Sequence, residues 1–273
     1  MNSAPEQPPA GIEVHPLVVR DPSRPRSTPQ PPGLTGAPLA KPSVVPYIAT
    51  WTTEHGASNP IRSLFGDRIA FPDERPEDRD RHGVLWRRNT AGRGEGRPVF
   101  DQVHARRQRH AMSDLLCQVC AGPASRTDAG WLWLLHDDRA IEPRGWPDLV
   151  TATHPPLCLP CARASVRMCP HLHSGFVAVR VADPQLWGVY GSVHMPTTVP
   201  GQVRTVARAM VPYGSTGARW VLAAQMVRLL LGCTFTDLDE EAAELPTATA
   251  DQADSDSPGA GATLRATERE PTA

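Results

Sequence analysis

Two C-x-x-C pairs constrain this chain more than any other feature. Cys117 and Cys120 stand in LLCQVC, Cys158 and Cys161 stand in LCLPCA, and residues 121–157 separate the pairs. A C-x-x-C turn directs two thiolates at one ion, and four thiolates surround Zn²⁺ tetrahedrally. We therefore predict that these four cysteines bind one structural zinc ion, with no position left for a catalytic water.

Other uses of the same cysteines stay open at this point. Reduced thiol turns without a metal would have the same sequence, and an iron–sulfur cluster also takes four thiolates. A redox C-x-x-C fits less well, because that motif needs a strand before it and a long helix after it. The nearby C-P-H-L-H segment adds Cys169, His171 and His173. These three could replace a ligand or start a second metal site, although packing roles are commoner for such residues.

The elements predicted around the cysteines resemble treble-clef zinc domains, with zinc ribbons as looser relatives. GWLWLLHDD (130–138) alternates as a strand between the two pairs, and ARASVRM (162–168) predicts a helix that follows the second pair. The resemblance covers about 117–173. It departs from a compact finger because residues 121–157 separate the pairs here, whereas the usual spacing is only about 15–20 residues.

Some treble-clef proteins are HNH endonucleases, which carry a catalytic Asp-His on the strand between their cysteine pairs. His136 and Asp137 stand on the matching stretch of this chain. The resemblance implies that His136 would activate water and that Asp137 would support a metal ion. The order here is His-Asp, which places the histidine on the opposite face of a strand. Ala162 stands where the family has Asn or His, so a ligand for the catalytic metal is missing.

Composition indicates one folded domain with disordered ends. Twelve of the 30 prolines fall in the first 46 residues, and the acidic segment from residue 239 has no aromatic side chain. Such segments bury too little apolar surface to offset the entropy of ordering them. We predict a single α+β domain at 44–238 with a zinc module at about 117–173, and disordered tails at 1–43 and 239–273.

Apolar periodicity assigns the main elements of that domain. RWVLAAQMVRLLLG (219–232) predicts the clearest helix of the chain, with Gly232 as its C-terminal stop. FDQVHARRQRHAMSDLLC (100–117) predicts a second helix that carries several arginines. The alternating segments GFVAVRVA (175–182) and LWGVYGSVHMP (186–196) predict two strands.

Basic charge is concentrated before the cysteines, although the net charge of the chain is −1. Residues 81–110 hold eight arginines against Glu95 and Asp101, a net +6. The candidate phosphate contacts are Arg87, Arg88, Arg93, Arg97, Arg106, Arg107 and Arg109. Phosphate contacts alone give weak, salt-dependent and non-specific binding to nucleic acid.

No apolar run reaches the roughly 18 residues that cross a bilayer. The first residues also lack the charged and apolar regions of a signal peptide. With clustered cysteines, this favours a cytoplasmic protein. The leading hypothesis is a non-enzymatic, intracellular, zinc-stabilised binding protein that contacts protein or nucleic acid and no membrane. The alternative is a divergent HNH-type, metal-dependent nuclease.

The chain as a whole resembles a group of actinobacterial, Streptomyces-like proteins without an assigned activity. The matching segments are PYIATW (46–51), RQRHAM (107–112), LLCQVC (115–120), LCLPCA (157–162) and WVLAAQ (220–225). Abundant arginine and a single lysine, Lys41, are consistent with a GC-rich genome. The resemblance implies a folded domain and no particular mechanism.

Overall fold

The computed structural model describes residues 44–54, 60–140 and 145–244. In chain order, the strands are β1 (Ala49–Trp51), β2 (Arg62–Leu64), β3 (Arg68–Ala70), β4 (Leu85–Trp86), β5 (Pro98–Val103), β6 (Arg126–Thr127), β7 (Gly130–His136), β8 (Val150–Ala152), β9 (Phe176–Pro196), β10 (Val203–Pro212) and β11 (Val221–Thr236). The helices are α1 (Ala105–Ser113), α2 (Leu159–Met168) and α3 (Leu238–Glu244). The predicted mixture of helix and sheet is confirmed. The disorder predicted for 1–43, and for the acidic segment from residue 245, lies outside the described residues.

A seven-stranded sheet forms the centre of the fold, and β9 and β11 are its two long strands. They pair antiparallel, from Val193 opposite Val221 to Ala178 opposite Thr236. On the far side of β9, β7 pairs with the first part of the strand and β10 with the last part. On the far side of β11, β4 pairs parallel and β8 antiparallel, while β6 extends the sheet beyond β7. Two separate ladders join β1 to β5 and β2 to β3.

The helices cover different parts of this sheet. Met112 of α1 packs with Val221 and Met226 of β11. Ala162 of α2 and Leu238 of α3 belong to a second buried cluster with residues of β7 and β9. None of the described helices is both long enough and apolar enough to cross a membrane.

The segment predicted as the clearest helix, 219–232, is instead a short 3-10 turn followed by strand β11. The prediction was wrong because the segment is apolar at almost every position, and such a run fits a buried strand as well as a helix. Pairing with β9 decides between the two. Gly232, the expected helix stop, lies within the strand with a φ of 64°. A Cβ atom there would lie 3.0 Å from the Cβ of Ala182 on β9.

Two other elements differ in extent from the predictions. The strands predicted over 175–182 and 186–196 form one continuous strand, β9, with a register shift opposite Val227 and Arg228. The helix predicted over 100–117 is confirmed only for α1, because residues 98–103 form strand β5.

The domain continues past the predicted boundary at 238. Residues expected in a disordered tail form α3 instead, and Asp237 caps it by accepting the N–H groups of Asp239 and Glu240. Glu241 forms an ion pair with Arg180 of β9, whose side chain is only 3% exposed. A buried guanidinium requires such a partner, so the folded region includes α3.

Candidate metal centre

Four thiol groups meet at one place in the structure. The sulfur atoms of Cys117, Cys120, Cys158 and Cys161 all lie within 4.8 Å of one another, and Cys120 Sγ lies 3.8 Å from Cys158 Sγ. All four are free thiols. Four sulfurs that each lie about 2.3 Å from one ion form a tetrahedron with edges of about 3.8 Å. The predicted ligands are therefore brought together at the spacing of a single four-coordinate ion.

The first pair lies on a tight turn that follows α1. Cys117 donates its N–H to the carbonyl of Gly122 (2.7 Å), and its own carbonyl accepts the N–H of Ala121 (2.9 Å). Ala121 has a φ of 63°, in the left-handed region that a residue with a Cβ atom rarely adopts. This conformation turns the chain back directly after Cys120, so that both sulfurs of the pair reach the same site.

The second pair lies at the start of α2. Cys158 is the N-cap residue and Cys161 is the third residue of the helix. The carbonyl of Cys158 accepts the N–H of Ala162 (2.9 Å), which closes the first helical turn between the two cysteines. The N-terminal end of a helix favours negative charge, so the helix dipole acts in favour of thiolates here, against the effect of burial.

Backbone hydrogen bonds connect the two cysteine turns independently of any ion. Gln118 donates its N–H to the carbonyl of Pro156 (3.0 Å), and Ser125 donates to the carbonyl of Leu157 (2.9 Å). Leu157, which is fully buried, donates in turn to Leu132 of β7 (3.0 Å). The fold thus holds the ligands close together through the hairpin between them.

The thiols differ in their acidity. Burial raises the pKa of Cys117 to about 11, and burial together with the neighbouring Cys158 thiol raises the pKa of Cys161. Burial acts in the same direction on Cys120, but the N–H of Gly122 and hydrogen bonds from the neighbouring thiols bring its pKa below the ordinary value. Four adjacent thiolates repel one another, and a bound cation removes that repulsion. The cluster therefore has the chemistry of a metal site.

The residues Cys169, His171 and His173 lie at the other end of α2. Cys169 caps the C-terminus of the helix, and its position eight residues after Cys161 corresponds to a rise of about 12 Å at 1.5 Å per residue. His173 Nε2 lies 3.3 Å from the carbonyl oxygen of Arg167. Within the described part of the chain, the four cysteines are the single group of three or more metal-binding side chains at ligand spacing. The structure therefore assigns these three residues neither to the cluster nor to a second metal site.

The candidate nuclease residues His136 and Asp137 have different hydrogen-bonding partners. The Asp137 carboxylate binds the guanidinium of Arg139 (2.6 Å), which lowers the pKa of Asp137 to about 2. His136 instead places Nδ1 3.1 Å from Asp138 Oδ1 and Nε2 3.3 Å from Ser174 Oγ. Nuclease activity through His136 and Asp137 stays a prediction, and the geometry of this pair does not favour it.

Two of the seven candidate phosphate-binding arginines form ion pairs with carboxylates of the protein. Arg107 is buried, and both oxygens of the Glu54 carboxylate bind its guanidinium. Arg88 binds Asp73 and Asp78, and its side chain is only 22% exposed. The guanidinium groups of Arg107 and Arg88 thus already bind carboxylates of the protein. Phosphate contact by these two residues stays a prediction that the geometry does not favour.

The other five candidate arginines lie on α1 or on the chain between β4 and β5. Arg87, Arg93, Arg97 and Arg106 are exposed, and Arg109 is half-buried. The guanidinium of Arg93 lies 5.0 Å from the centre of the Tyr47 ring, and that of Arg109 lies 5.0 Å from the centre of the Trp86 ring. Tyr47 also binds His110 of α1 through its hydroxyl (3.0 Å). We call these five arginines the α1 arginine surface.

Sequence reasoning missed the partners of several of these residues. Nothing in the local sequence connects Glu54 with Arg107, because the pair depends on the packing of β1 against α1. Asp138 and Ser174 were also missed as partners of His136. The H-x-D spacing could have indicated Asp138, since residues two apart on an extended chain share a side. Ser174 depends on the register of two strands.

Comparison of the chain with protein-family models, with curated proteins and with solved structures yields no match.

Proposed function

We propose that the protein is an intracellular, zinc-stabilised binding protein whose metal centre is structural and whose α1 arginine surface contacts nucleic-acid phosphates. The observation that carries the proposal is the convergence of Cys117, Cys120, Cys158 and Cys161. A site filled by four protein ligands has no open position for substrate or water. The metal therefore stabilises the fold, and the function depends on surfaces that the fold presents.

Zinc is the metal that best fits the donor set. Four sulfur ligands in a tetrahedron are typical of Zn²⁺ or iron, and the sulfur separations fit one ion rather than a cluster of several. Clustered cysteines in an intracellular protein are more often metal ligands than disulfides, which supports a metal site for an intracellular protein.

The order of elements supports a treble-clef-like module. A cysteine turn is followed by the β6–β7 hairpin, and the second cysteine pair opens α2. Strand β8 and residues 145–149 form part of an insertion between the hairpin and the helix. This insertion accounts for the long spacing between the cysteine pairs.

The α1 arginine surface supports nucleic acid as the partner. Arg106 and Arg109 lie on α1, and the guanidinium groups of Arg93 and Arg109 lie over the rings of Tyr47 and Trp86. Glu95 and Asp101 are exposed in the same segment and reduce the net charge. We therefore expect non-specific binding in the micromolar range or weaker, falling steeply with salt.

Metal analysis and a salt titration test the two parts separately. Protein purified under reducing conditions should contain about one zinc per chain. Replacing Arg93 and Arg106 by glutamine should reduce the slope of log affinity against log salt by about two, since two phosphate contacts are lost. Arg62→Gln with Arg204→Gln is the matched control, because both residues are exposed on other strands. Equal effects of the two pairs would reject the assigned surface.

A further inference from the structure

A second chemical site lies at the end of the β7–β9 ladder, on residues that are not part of the cysteine cluster. His136 is the last residue of β7 and stands opposite Phe176 of β9. The ladder continues by one hydrogen bond, from the N–H of Asp137 to the carbonyl of Gly175 (3.4 Å). Side chains two residues apart on extended chains point to the same side. The register therefore brings Asp138 and Ser174 to the side on which His136 lies.

The side chains of Asp138, His136 and Ser174 lie in sequence at hydrogen-bonding distance. Asp138 Oδ1 lies 3.1 Å from His136 Nδ1, and His136 Nε2 lies 3.3 Å from Ser174 Oγ. The Asp138 side chain is 14% exposed, that of His136 is 30% exposed, and Ser174 is exposed. A carboxylate thus contacts one ring nitrogen from within the protein, while the other nitrogen contacts a hydroxyl that solvent and substrate can reach.

We propose that Ser174, His136 and Asp138 form a Ser–His–Asp triad that hydrolyses carboxylic esters. The assignment goes beyond the proposed binding function, because it gives the protein a catalytic activity that does not involve the metal site. The roles follow from the contacts, since a triad is recognised by geometry rather than by sequence order. The Asp138 carboxylate fixes the tautomer with the proton on Nδ1, which leaves Nε2 as the base beside Ser174.

The reaction uses each group in turn. Ser174 Oγ attacks the ester carbonyl carbon while its proton passes to His136 Nε2, and Asp138 stabilises the imidazolium. The C–O bond to the alcohol then breaks, and the alcohol leaves with the proton from Nε2. Water attacks the acyl-serine, again giving a proton to Nε2. The carboxylic acid leaves as the bond to Ser174 Oγ breaks, and Oγ regains its proton.

The surroundings set limits on rate and substrate. The Ser174 hydroxyl also lies 3.1 Å from the carbonyl of His171, which competes for its proton. Because Ser174 is exposed, water weakens electrostatic stabilisation of the developing oxyanion. Slow turnover of activated esters that approach from solvent is therefore expected. Formation of the covalent serine adduct is a more decisive measurement than turnover.

The test uses a fluorophosphonate probe on the full-length, metal-loaded protein, with the site located by mass spectrometry. Ser174 Oγ displaces fluoride from phosphorus while His136 takes the proton, so one adduct per chain is expected at Ser174. Ser174→Ala should abolish this adduct, and His136→Gln should slow its formation at least about 100-fold, as for loss of a general base. Asp138→Asn should also slow it, because the amide favours the wrong tautomer.

A matched serine in the same region provides the control. Ser165 lies on α2 and has no part in the triad, so Ser165→Ala should be labelled as fast as the unmodified sequence. Circular dichroism checks that each variant is folded. Absence of an adduct at Ser174 in folded protein would overturn the proposal. Labelling of His136→Gln at the original rate would also overturn it, because the three contacts would then be structural only.

Discussion

Arg107 and Glu54 form a two-pronged ion pair inside the protein, although 53 residues separate them in the chain. Arg107 Nη1 and Nη2 bind the two carboxylate oxygens of Glu54, and Nη2 and Nε also donate to the backbone carbonyls of Ala49 and Tyr47. The pair joins α1 to the chain around β1. Arg107, the buried arginine of the basic segment, therefore belongs to the fold rather than to the surface.

Removal of one partner should be costly. Glu54→Gln leaves a buried guanidinium without its counter-charge, and we expect the free energy of unfolding to fall by about 3–5 kcal/mol. Urea denaturation measures the change. Asp67→Asn is the matched control, because the Asp67–Arg219 pair is about 60% exposed on both sides and should contribute less than about 1 kcal/mol. Similar losses in both variants would contradict the interior role of Glu54.

Two carboxylates make stability dependent on pH. Burial tends to raise the pKa of Glu54, but Arg107 and the N–H of Trp51 hold it below the ordinary value. Arg88 lowers the pKa of Asp78. A carboxylate with a lowered folded-state pKa stabilises the protein fully above its unfolded-state pKa, and this stabilisation is lost as pH falls through the folded-state pKa.

The free energy of unfolding should therefore fall as the pH is lowered from about 5 to about 3. Denaturant unfolding at several pH values gives the slope. Asp78→Asn should flatten part of it, whereas Asp67→Asn should not, since Asp67 lies in an exposed pair. A slope that Asp78→Asn leaves unchanged would show that other groups control acid unfolding.

Gln108 connects α1 to the sheet through a fully buried amide. Its Nε2 donates to the carbonyls of Thr153 and Met226, and its Oε1 accepts the N–H of Met226. Gln108→Met keeps the volume and removes these bonds, so buried backbone groups lose their partners. A loss of at least about 2 kcal/mol is expected in urea unfolding. Gln185→Met, on the exposed part of β9, should change stability little.

Helix α3 should be required for a stable domain. A chain that ends at Thr236 removes Glu241 and leaves buried Arg180 without its counter-charge. A loss of about 3–5 kcal/mol is expected, while a chain that ends at Glu244 should keep its stability. Thermal or urea unfolding of the two truncations distinguishes them. Equal stability of the two chains would show that the domain does not need α3.

The metal ligands can be separated from the other cysteines by substitution. Cys158→Ser should release zinc and unfold the region around 117–173, because binding to structural zinc sites contributes about 10–16 kcal/mol in small domains. Cys169→Ser should keep the metal, since Cys169 lies at the far end of α2. Elemental analysis and near-ultraviolet circular dichroism follow both effects. Loss of metal in Cys169→Ser would return that residue to the ligand set.

Local chemistry made the cysteine site predictable, while long-range pairing made the rest of the fold difficult to predict. The C-x-x-C spacing indicates converging thiols without knowledge of the fold, and α2 and β7 follow from periods of about four and two residues. Strand β11 could not be assigned this way, because its apolar residues fit the period of a helix as well as that of a strand. Its pairing with β9 makes it a strand. The contacts of Arg107 and His136 likewise depend on segments distant in sequence.

Strand β9 has a consequence for how the protein opens. Its first residues pair with β7, which leads to the cysteine site, and its last residues pair with β10, while β11 accompanies almost the whole strand. The part of the sheet that contains β7 and the part that contains β10 share β9 and β11, so neither part can unfold without disrupting strands of the other. Amide protons along β9 should therefore exchange with solvent as one cooperative unit. Loss of metal near the first residues of β9 would therefore raise the exchange rate of amide protons in its last residues, beneath α1. The metal supply would then control the fraction of molecules in which the α1 arginine surface is folded.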